Sequence, residues 1–480
     1  MDLRPILFVI GILLSILSLS MVIPMLADLY FGYSDWRVFF ICIIITSFFG
    51  GSLILSNAGQ TFHMNVRQAF LLTVLSWVSM ALFGSLPFVL SELKMSFTDS
   101  FFESMSGITT TGFTVITGLD DAPAGILLWR SLLQWLGGIG FVVMALSMLP
   151  FLKVGGMQLF KTESSEREKA VPRAAQLARA LAGVYVALTF VCAVFFMATG
   201  MGAFDAAAHA MSTIATGGFS TNDSSFMKYD APWTEIVAMT FMFLGGLPFV
   251  MYVKALGGNV KIFFHDSQVR CYAMLVVAAT STLVVYLVFF EQVAFLTALR
   301  GASFNVISIM TSTGFSNADI NTWGSFSAAF LIFLAFVGAC SGSTAGGIKV
   351  FRFQILWQIV SLQVKKLLHP HGVFVANYNG KPVPRDVPMA VMGFFFVYLL
   401  TFVVSCTALS FFNLDLLTAM SIAVAGIGNV GMANGDLVGP MGSFKVLPDG
   451  AKWITSITML MGRLELFTVL VLLSRHFWKP

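Results

Sequence analysis

Charge is scarce in this sequence. Asp, Glu, Lys and Arg make up only 10 % of its 480 residues, against about 25 % in an ordinary soluble domain. A chain solvated on all sides is therefore excluded, and 57 % hydrophobic residues with a mean hydropathy of +0.87 point to a polytopic membrane protein. In that setting a pI of 8.7 carries no implication of nucleic-acid binding. Cysteine is sparse too. Cys42, Cys192, Cys271, Cys340 and Cys406 each stand alone in an apolar run, which excludes a disulfide framework or a zinc site. Neither G-x-x-x-x-G-K-[ST] nor a G-x-G-x-x-G following a strand occurs, so no cofactor is expected and any nucleotide control has to come from another chain. The spanning segments lack the paired acids, His sets or Ser/Lys dyad of an intramembrane enzyme. The first apolar segment, 5–26, lacks a small-residue cleavage site and reads as a retained helix.

What is present is a repeat. Thr109-Thr110-Thr111-Gly112-Phe113-Thr114 returns as Ala215-Thr216-Gly217-Gly218-Phe219-Ser220 and as Thr311-Ser312-Thr313-Gly314-Phe315-Ser316. A worn fourth copy is Ala425-Gly426-Ile427-Gly428-Asn429-Val430. Ser106, Ser212 and Ser308 stand six residues before the glycine, and Thr114, Ser220 and Ser316 two after it; the fourth copy breaks both rules. Each run follows an apolar stretch of about a dozen residues, too short to span a bilayer and suited to a re-entrant half-helix. The half-helix aims its partially negative C-terminal end at the run. Four such runs around one axis would offer backbone carbonyls in place of a cation's water shell, with glycine leaving the axis open. For one copy alone, a Gly/Thr-rich turn between helices explains the pattern equally well.

Two spanning segments, 5–26 and 36–56, precede four units of helix, half-helix and helix. The units read 68–90, 97–108 and 125–149; 177–199, 204–214 and 234–253; 271–290, 294–310 and 326–350; 388–411, 415–424 and 453–473. The fold expected is all-α, with four pore repeats in pseudo-fourfold arrangement around one pore plus two extra N-terminal helices. Its divisions are 1–67, 68–152, 153–260, 261–370, and 371–480 including a cytoplasmic hairpin. Most of the 27 Lys and Arg, among them Lys161, Arg173, Lys254, Arg352, Lys365 and Arg475, fall in the inner loops if both termini are cytoplasmic. Acids such as Glu92, Asp120, Asp223, Asp319 and Asp436 gather on the other side, where they would concentrate cations or simply keep the surface solvated. Thr98 or Asp99, Asp205 and Asp415 begin half-helices and are expected to cap them.

Other segments are less regular. The middle of the third unit's second helix reads Gly338-Ala339-Cys340-Ser341-Gly342-Ser343-Thr344-Ala345-Gly346-Gly347-Ile348-Lys349. Irregular backbone at membrane depth needs protein or a water-filled cavity around it, so this is expected to be a loop below the filter and a gate; the alternative is a glycine-rich packing seam. Lys161 to Arg179 is a solvated charge run, and His369-Pro370-His371 is a polar turn or a weak metal candidate. Tyr378-Asn379-Gly380 predicts a small hairpin able to dock a soluble partner. Arg463 falls near the bilayer centre, either a cationic barrier on the ion path or a fastener of the fold.

Taken together, T-T-G-F, T-G-G-F, S-T-G-F and I-G-N-V runs on four helix–half-helix–helix units resemble the Trk/Ktr/HKT superfamily of potassium transporters. The two extra N-terminal helices, the G-S-T-A-G-G-I-K loop and the last-helix Arg463 are similar to the Trk-type subunit of bacterial inner membranes. The resemblance implies a potassium filter at Thr110, Thr111, Gly112; Thr216, Gly217, Gly218; Ser312, Thr313, Gly314; and Ile427, Gly428, Asn429, with K⁺ the ion bound there. It also implies a homodimer in membrane lipid with one pore per protomer, and a cytosolic nucleotide-binding regulatory ring. Sodium-preferring relatives often replace the first filter glycine by serine; all four glycines here favour potassium, with a sodium-permeable or sodium-coupled transporter as the alternative. A secondary transporter of another class would show two inverted halves, not four like-handed repeats.

Overall fold

The computed structural model describes residues 2–59, 64–148, 170–229, 231–384, 386–435, 438–439 and 442–479. Residues 161–169 of the charge run that begins at Lys161 fall outside these residues, as does Asp436. Proline at an N-terminal position starts α1 (Arg4–Ser20), which continues almost without break into α2 (Val22–Phe31), and Gly32 in the left-handed region ends the pair. Next comes α3 (Trp36–Asn57), packed along α1 where Gly11 and Gly50 let the two backbones approach closely.

The first unit is α4 (Val66–Gly84), its one-turn continuation α5 (Leu86–Leu90), the half-helix α6 (Phe97–Ile108) and α7 (Ala124–Met148). The second is α8 (Ala170–Ala198), half-helix α9 (Ala203–Ile214), α10 (Pro232–Gly245) and α11 (Phe249–Leu256). A short α12 (Ile262–His265) leads to the third: α13 (Ser267–Phe289), half-helix α14 (Phe295–Met310), α15 (Gly324–Val337) and α16 (Val350–Leu368). Strands β1 (Asn377–Tyr378) and β2 (Lys381–Pro382) precede the fourth: α17 (Asp386–Ser410), half-helix α18 (Leu416–Gly428), α19 (Asp449–Arg463) and α20 (Phe467–Leu473), followed by α21 (Arg475–Trp478). Among the described residues eight helices are long and apolar enough to cross a membrane, and two bent pairs bring the total to ten if each pair is one span.

Two of the expected unbroken second helices are interrupted, and that of the third unit breaks where the loop is expected. The α10/α11 pair bends by 91° at Gly246-Leu247-Pro248, and α19/α20 by 115° after Arg463. Between α15 and α16 the chain leaves the helix altogether for residues 338–349. Of the expected caps, Asp415 holds: its carboxylate accepts from Thr418 N at 3.0 Å. On α6 the cap is Ser96, accepting from Asp99 N at 3.1 Å, while Asp99 itself takes the Lys452 ammonium at 2.6 Å. On α9 the cap position is Gly202, and Asp205 instead accepts from the Thr221 hydroxyl at 2.7 Å.

The hairpin forms as predicted, with Asn379 and Gly380 at φ +49° and +78°, the signs of a type I′ turn. It packs on the chain's own helices. Asn379 Nδ2 donates to Asp266, the cap of α13, and Asn379 Oδ1 accepts from Ser267 N at 2.9 Å.

Candidate functional site

All four half-helices end in one way. Just past each helix, at its second residue in the first three and its first in the fourth, the chain enters the left-handed region, namely at Thr110, Thr216, Ser312 and Asn429 with φ +53°, +51°, +58° and +51°. The next amide reaches back five residues: Thr111 N to Ser106 O at 2.9 Å, Gly217 N to Ser212 O at 2.8 Å, Thr313 N to Ser308 O at 2.8 Å, and Val430 N to Ala425 O at 2.8 Å. This is the Schellman closure. It turns the chain out of the helix into a short non-helical strand.

Those strands meet at their glycines. A Cβ on Gly112 would press into the Gly217 carbonyl oxygen, one on Gly218 into the Thr313 carbonyl oxygen, and one on Gly314 into the Gly431 backbone. A Cβ on Gly431 would stand 2.9 Å from both the Thr111 and the Thr313 carbonyl oxygens. Each strand thus touches the next in cyclic order, and backbone oxygens converge where side chains are missing. Gly112, Gly218 and Gly314 have φ of +94°, +81° and +85°, so a side chain there is excluded by conformation as well as by space.

The nine residues predicted in the first three runs all lie in this ring, but the fourth run is displaced by a turn. Ile427 and Gly428 are still helical, and their carbonyls face Gly462 and Gly346 instead of the axis. Asn429 takes the place of Thr110, and Gly431 the place of Gly112. Asn429 Nδ2 binds across to the Thr111 hydroxyl at 3.0 Å and to Met459 O at 2.9 Å, joining the fourth strand to the first.

A second tier of side chains holds the strands. Nine residues before the ring glycine stand Glu103, His209 and Asn305, and two after it Thr114, Ser220 and Ser316. They pair in register: Thr114 Oγ1 to Glu103 Oε1 at 2.9 Å, His209 Nε2 with Ser220 Oγ at 3.1 Å, and Ser316 Oγ to Asn305 Oδ1 at 3.2 Å. In the fourth unit the matching pair is Ile422 and Ala433, both apolar and buried. Glu103 also binds buried Arg130 at 2.8 Å, and Arg130 donates on to Ser220 O at 2.7 Å. Gln134 donates to Gly217 O at 2.6 Å and accepts from Phe219 N at 3.1 Å. Its amide fills the space that a Cβ on residue 217 would need, which is why the second run has glycine where the others have Thr111 and Thr313.

On one side the ring opens into a vestibule of about 280 Å³ lined by Thr114, Ser220, Asn222 and Asp223. At its rim Lys228 binds Asp120 at 2.9 Å, and this ammonium holds the Asp120 carboxyl below its usual range.

A family model for TrkH, described as a cation transport protein, matches residues 36–479. The chain belongs to the TrkH family. It is 40 % identical to the Trk system potassium uptake protein TrkI of Halomonas elongata over 99 % of this chain and 97 % of that one. It is 36 % identical to the Trk system potassium uptake protein TrkH of Escherichia coli K12 over the full length of both. The crystal structure of the potassium transporter TrkH from Vibrio parahaemolyticus superposes with a TM-score of 0.92 at 35 % identity, covering all of each chain.

In this TrkH-family chain residues 338–349 pack against the other side of the ring. The loop contains every predicted residue of that segment: Gly338, Ser341, Gly342, Ser343, Thr344, Ala345, Gly346, Gly347 and Lys349. It is no packing seam, for Gly338, Gly342, Gly347 and Lys349 have positive φ. Its polar groups are bonded to the units around it. Thr344 Oγ1 lies 3.0 Å from Ile214 O and 3.2 Å from the Thr216 hydroxyl, and Gly346 N donates to Ser312 Oγ at 2.7 Å. Cys340 N donates to Gly246 O at 3.1 Å and Ser341 N to Gln268 Oε1 at 2.8 Å. A Cβ on Gly346 would meet the Gly428 carbonyl. The loop therefore crosses directly behind three of the four ring strands.

Arg463 completes the crossing. Buried at the end of α19, it donates through Nη1 to Thr344 O at 2.8 Å and through Nη2 to Gly137 O at 3.3 Å, and its guanidinium lies 4.3 Å from the Phe141 ring. Glu465 does not pair with it; that carboxylate binds Arg352 and, at 3.6 Å, Lys349. Sequence pattern points to Arg463 but not to Arg130, His209, Asn305, Gln134 or Gly431, and it gives Glu103 only a place among the outer acids and Glu465 no part in holding the loop. A signal existed for some of them, since Glu103, His209 and Asn305 share one offset from the glycine just as Thr114, Ser220 and Ser316 do.

Proposed function

We propose that this chain takes up potassium across the bacterial inner membrane through the ring of Thr110–Gly112, Thr216–Gly218, Ser312–Gly314 and Asn429–Gly431, with residues 338–349 and Arg463 as the gate on its cytoplasmic side. The observation that carries this is the cyclic contact of four left-handed-residue-x-glycine strands, which assembles backbone oxygens around an axis without side chains. Potassium is the ion named for the relatives at 36–40 % identity, and glycine stands at the ring position of all four strands. The bias of basic residues toward the inner loops supports cytoplasmic termini.

A homodimer regulated by a cytosolic nucleotide-binding ring belongs to the same proposal. Trp357, Val360, Val364 and Leu367 form an exposed apolar stripe on α16 at spacings of three and four, a face suited to a second copy. The Asn379 hairpin gives a regulatory partner a hold near the gate, because it is bonded to Asp266 and Ser267, next to the Gln268 that holds Ser341.

The test is tracer uptake into liposomes by Gly218→Ser. The substitution forces a hydroxymethyl group toward the Thr313 carbonyl, and K⁺ over Na⁺ preference should fall at least tenfold, about 1.4 kcal/mol. Wild-type selectivity in well-folded Gly218→Ser protein would remove the ring from the ion path.

A further inference from the structure

A cavity of about 650 Å³ lies off the axis between α1, α4 and α7. Its size is in the range of sites that hold a drug-sized ligand, about 300–1,000 Å³. The walls are mostly apolar, among them Leu13, Leu72, Trp77, Met80, Ile108 and Val143, with the Ser76 hydroxyl a buried exception. The Thr73 hydroxyl, which also lines it, is spent on Ala69 O of its own helix at 2.9 Å. At Gly140 on α7 an added Cβ would meet nothing within 4 Å, so the space is open there.

We infer that this cavity binds one acyl chain of a membrane phospholipid. Three observations single out that occupant. Along α4 the lining runs from Ala69 to Met80, roughly 16 Å at 1.5 Å per residue, which is about one leaflet of a 30 Å hydrocarbon core. The cavity is continuous with the face that the spanning helices present to lipid, since Ile16 lines it and is itself 49 % exposed. At the end where α1 and α4 begin, exposed Arg4 and Arg67 stand on helix starts that are tied together by Gln68 Nε2 donating to Asp2 O at 2.8 Å. Arg67 also donates through its guanidinium to Lys479 O, so the phosphate would meet one guanidinium already held in place and a second, that of Arg4, on the neighbouring helix start. The deep end reaches the ion path, because Ile108 ends the first half-helix and Gly137, also in the lining, accepts from Arg463.

The experiment reconstitutes the full chain in vesicles of phosphatidylethanolamine and phosphatidylglycerol doped with a phospholipid bearing a diazirine at mid-chain. After photolysis, peptides are read by mass spectrometry. Peptides carrying Leu13, Met80 or Val143 should be labelled at least tenfold above the α3 peptide carrying Phe48, which is 68 % exposed. Gly140→Trp, which fills the open space, should abolish that excess and leave the α3 label unchanged; Gly140→Leu serves if the tryptophan variant is not monodisperse. Label no higher than on α3, or an excess that survives either variant, overturns the inference. So does a disulfide-linked dimer formed through Met80→Cys, which would show that a second copy of the chain fills the cavity.

Discussion

Replacing Arg463 tests whether the loop is held shut by a latch or the path is blocked by a charge. The guanidinium makes one short bond to Thr344 O at 2.8 Å, a longer one to Gly137 O at 3.3 Å, and a ring contact with Phe141 at 4.3 Å. A bond from a charged donor contributes about 1.5–3 kcal/mol, and a desolvated cation–π contact about 0.5–2 kcal/mol. Counting the short bond and the ring contact at their lower values gives about 2 kcal/mol, and midway values give about 3.5 kcal/mol. At 1.4 kcal/mol per tenfold, the open-to-closed ratio should rise roughly 30- to 300-fold in Arg463→Ala. The flux gain stops lower if the loop is already open part of the time. A charge on the axis gives a similar figure, about 3 kcal/mol between unit charges 6 Å apart at an effective dielectric near 20, so alanine alone does not separate the two ideas. Arg463→Lys does. An ammonium keeps the charge but loses the planar fork that reaches two carbonyls at once. A latch predicts leak from both variants, whereas a barrier predicts leak from alanine only. The assay is K⁺ efflux from liposomes without any partner protein, on variants that remain monodisperse. Wild-type efflux in both would refute latch and barrier alike.

Two further substitutions probe the ring. Gly431→Ser should lower K⁺ over Na⁺ preference in the same uptake assay, while Gly428→Ala, inside α18, should leave preference intact; the reverse result would restore the register read from sequence. Glu103→Gln removes the charge facing buried Arg130, and breaking such a pair costs about 3–5 kcal/mol. Thermal unfolding followed by gel filtration should shift down by several degrees, and Glu103→Gln with Arg130→Met should recover part of the loss. Damage in the double variant equal to the sum of Glu103→Gln and Arg130→Met alone would show that the pair is not coupled.

The half-helices were legible because their signals are local. A dozen apolar residues followed by a polar Gly-containing run predicts α6 at 97–108, the bounds it has in the structure. The fourth run misled for a reason that is also local. Gly426 and Gly428 are poor helix formers, and a break there looks natural on propensity. Packing overrides that preference: Thr455 and Thr458 close on Gly426, and the Ile427 carbonyl sits against Gly462, so α18 gains another turn before Asn429 ends it. Asn429-Val430-Gly431-Met432 did match Thr110-Thr111-Gly112-Phe113 in pattern. Asparagine is the non-glycine residue best suited to the left-handed position, and that reasoning would have found the register. The α10/α11 bend was visible in Pro248, which disfavours helix in the residue before it. The α19/α20 bend was not, because Leu464, Glu465 and Leu466 are good helix formers and nothing in their order announces a stop.

That unannounced bend has a physical cause in the loop. Glu465 and Leu466 are held at φ +60° and +54°, a conformation that costs about 1–3 kcal/mol per residue and persists only where the surroundings over-determine it. In a continuous helix, residues two apart point roughly 200° away from each other, so Arg463 and Glu465 could not both face the same loop. With the helix broken between them they do. Arg463 takes the Thr344 carbonyl in the middle of the loop, and Glu465 takes Lys349 and Arg352 where the loop returns to helix. The strain is thus tied to a double grip on one segment. Glu465→Gln keeps the shape and removes the charge that draws in the two cations, so the turn loses what holds it and the loop's exit is loosened. Efflux should rise in the single variant. Since both grips restrain the same loop, adding Glu465→Gln to Arg463→Ala should raise efflux by less than the product of the two single effects. Effects that multiply would mean that the two residues act on separate elements, and the account of the bend as a consequence of the loop would fail.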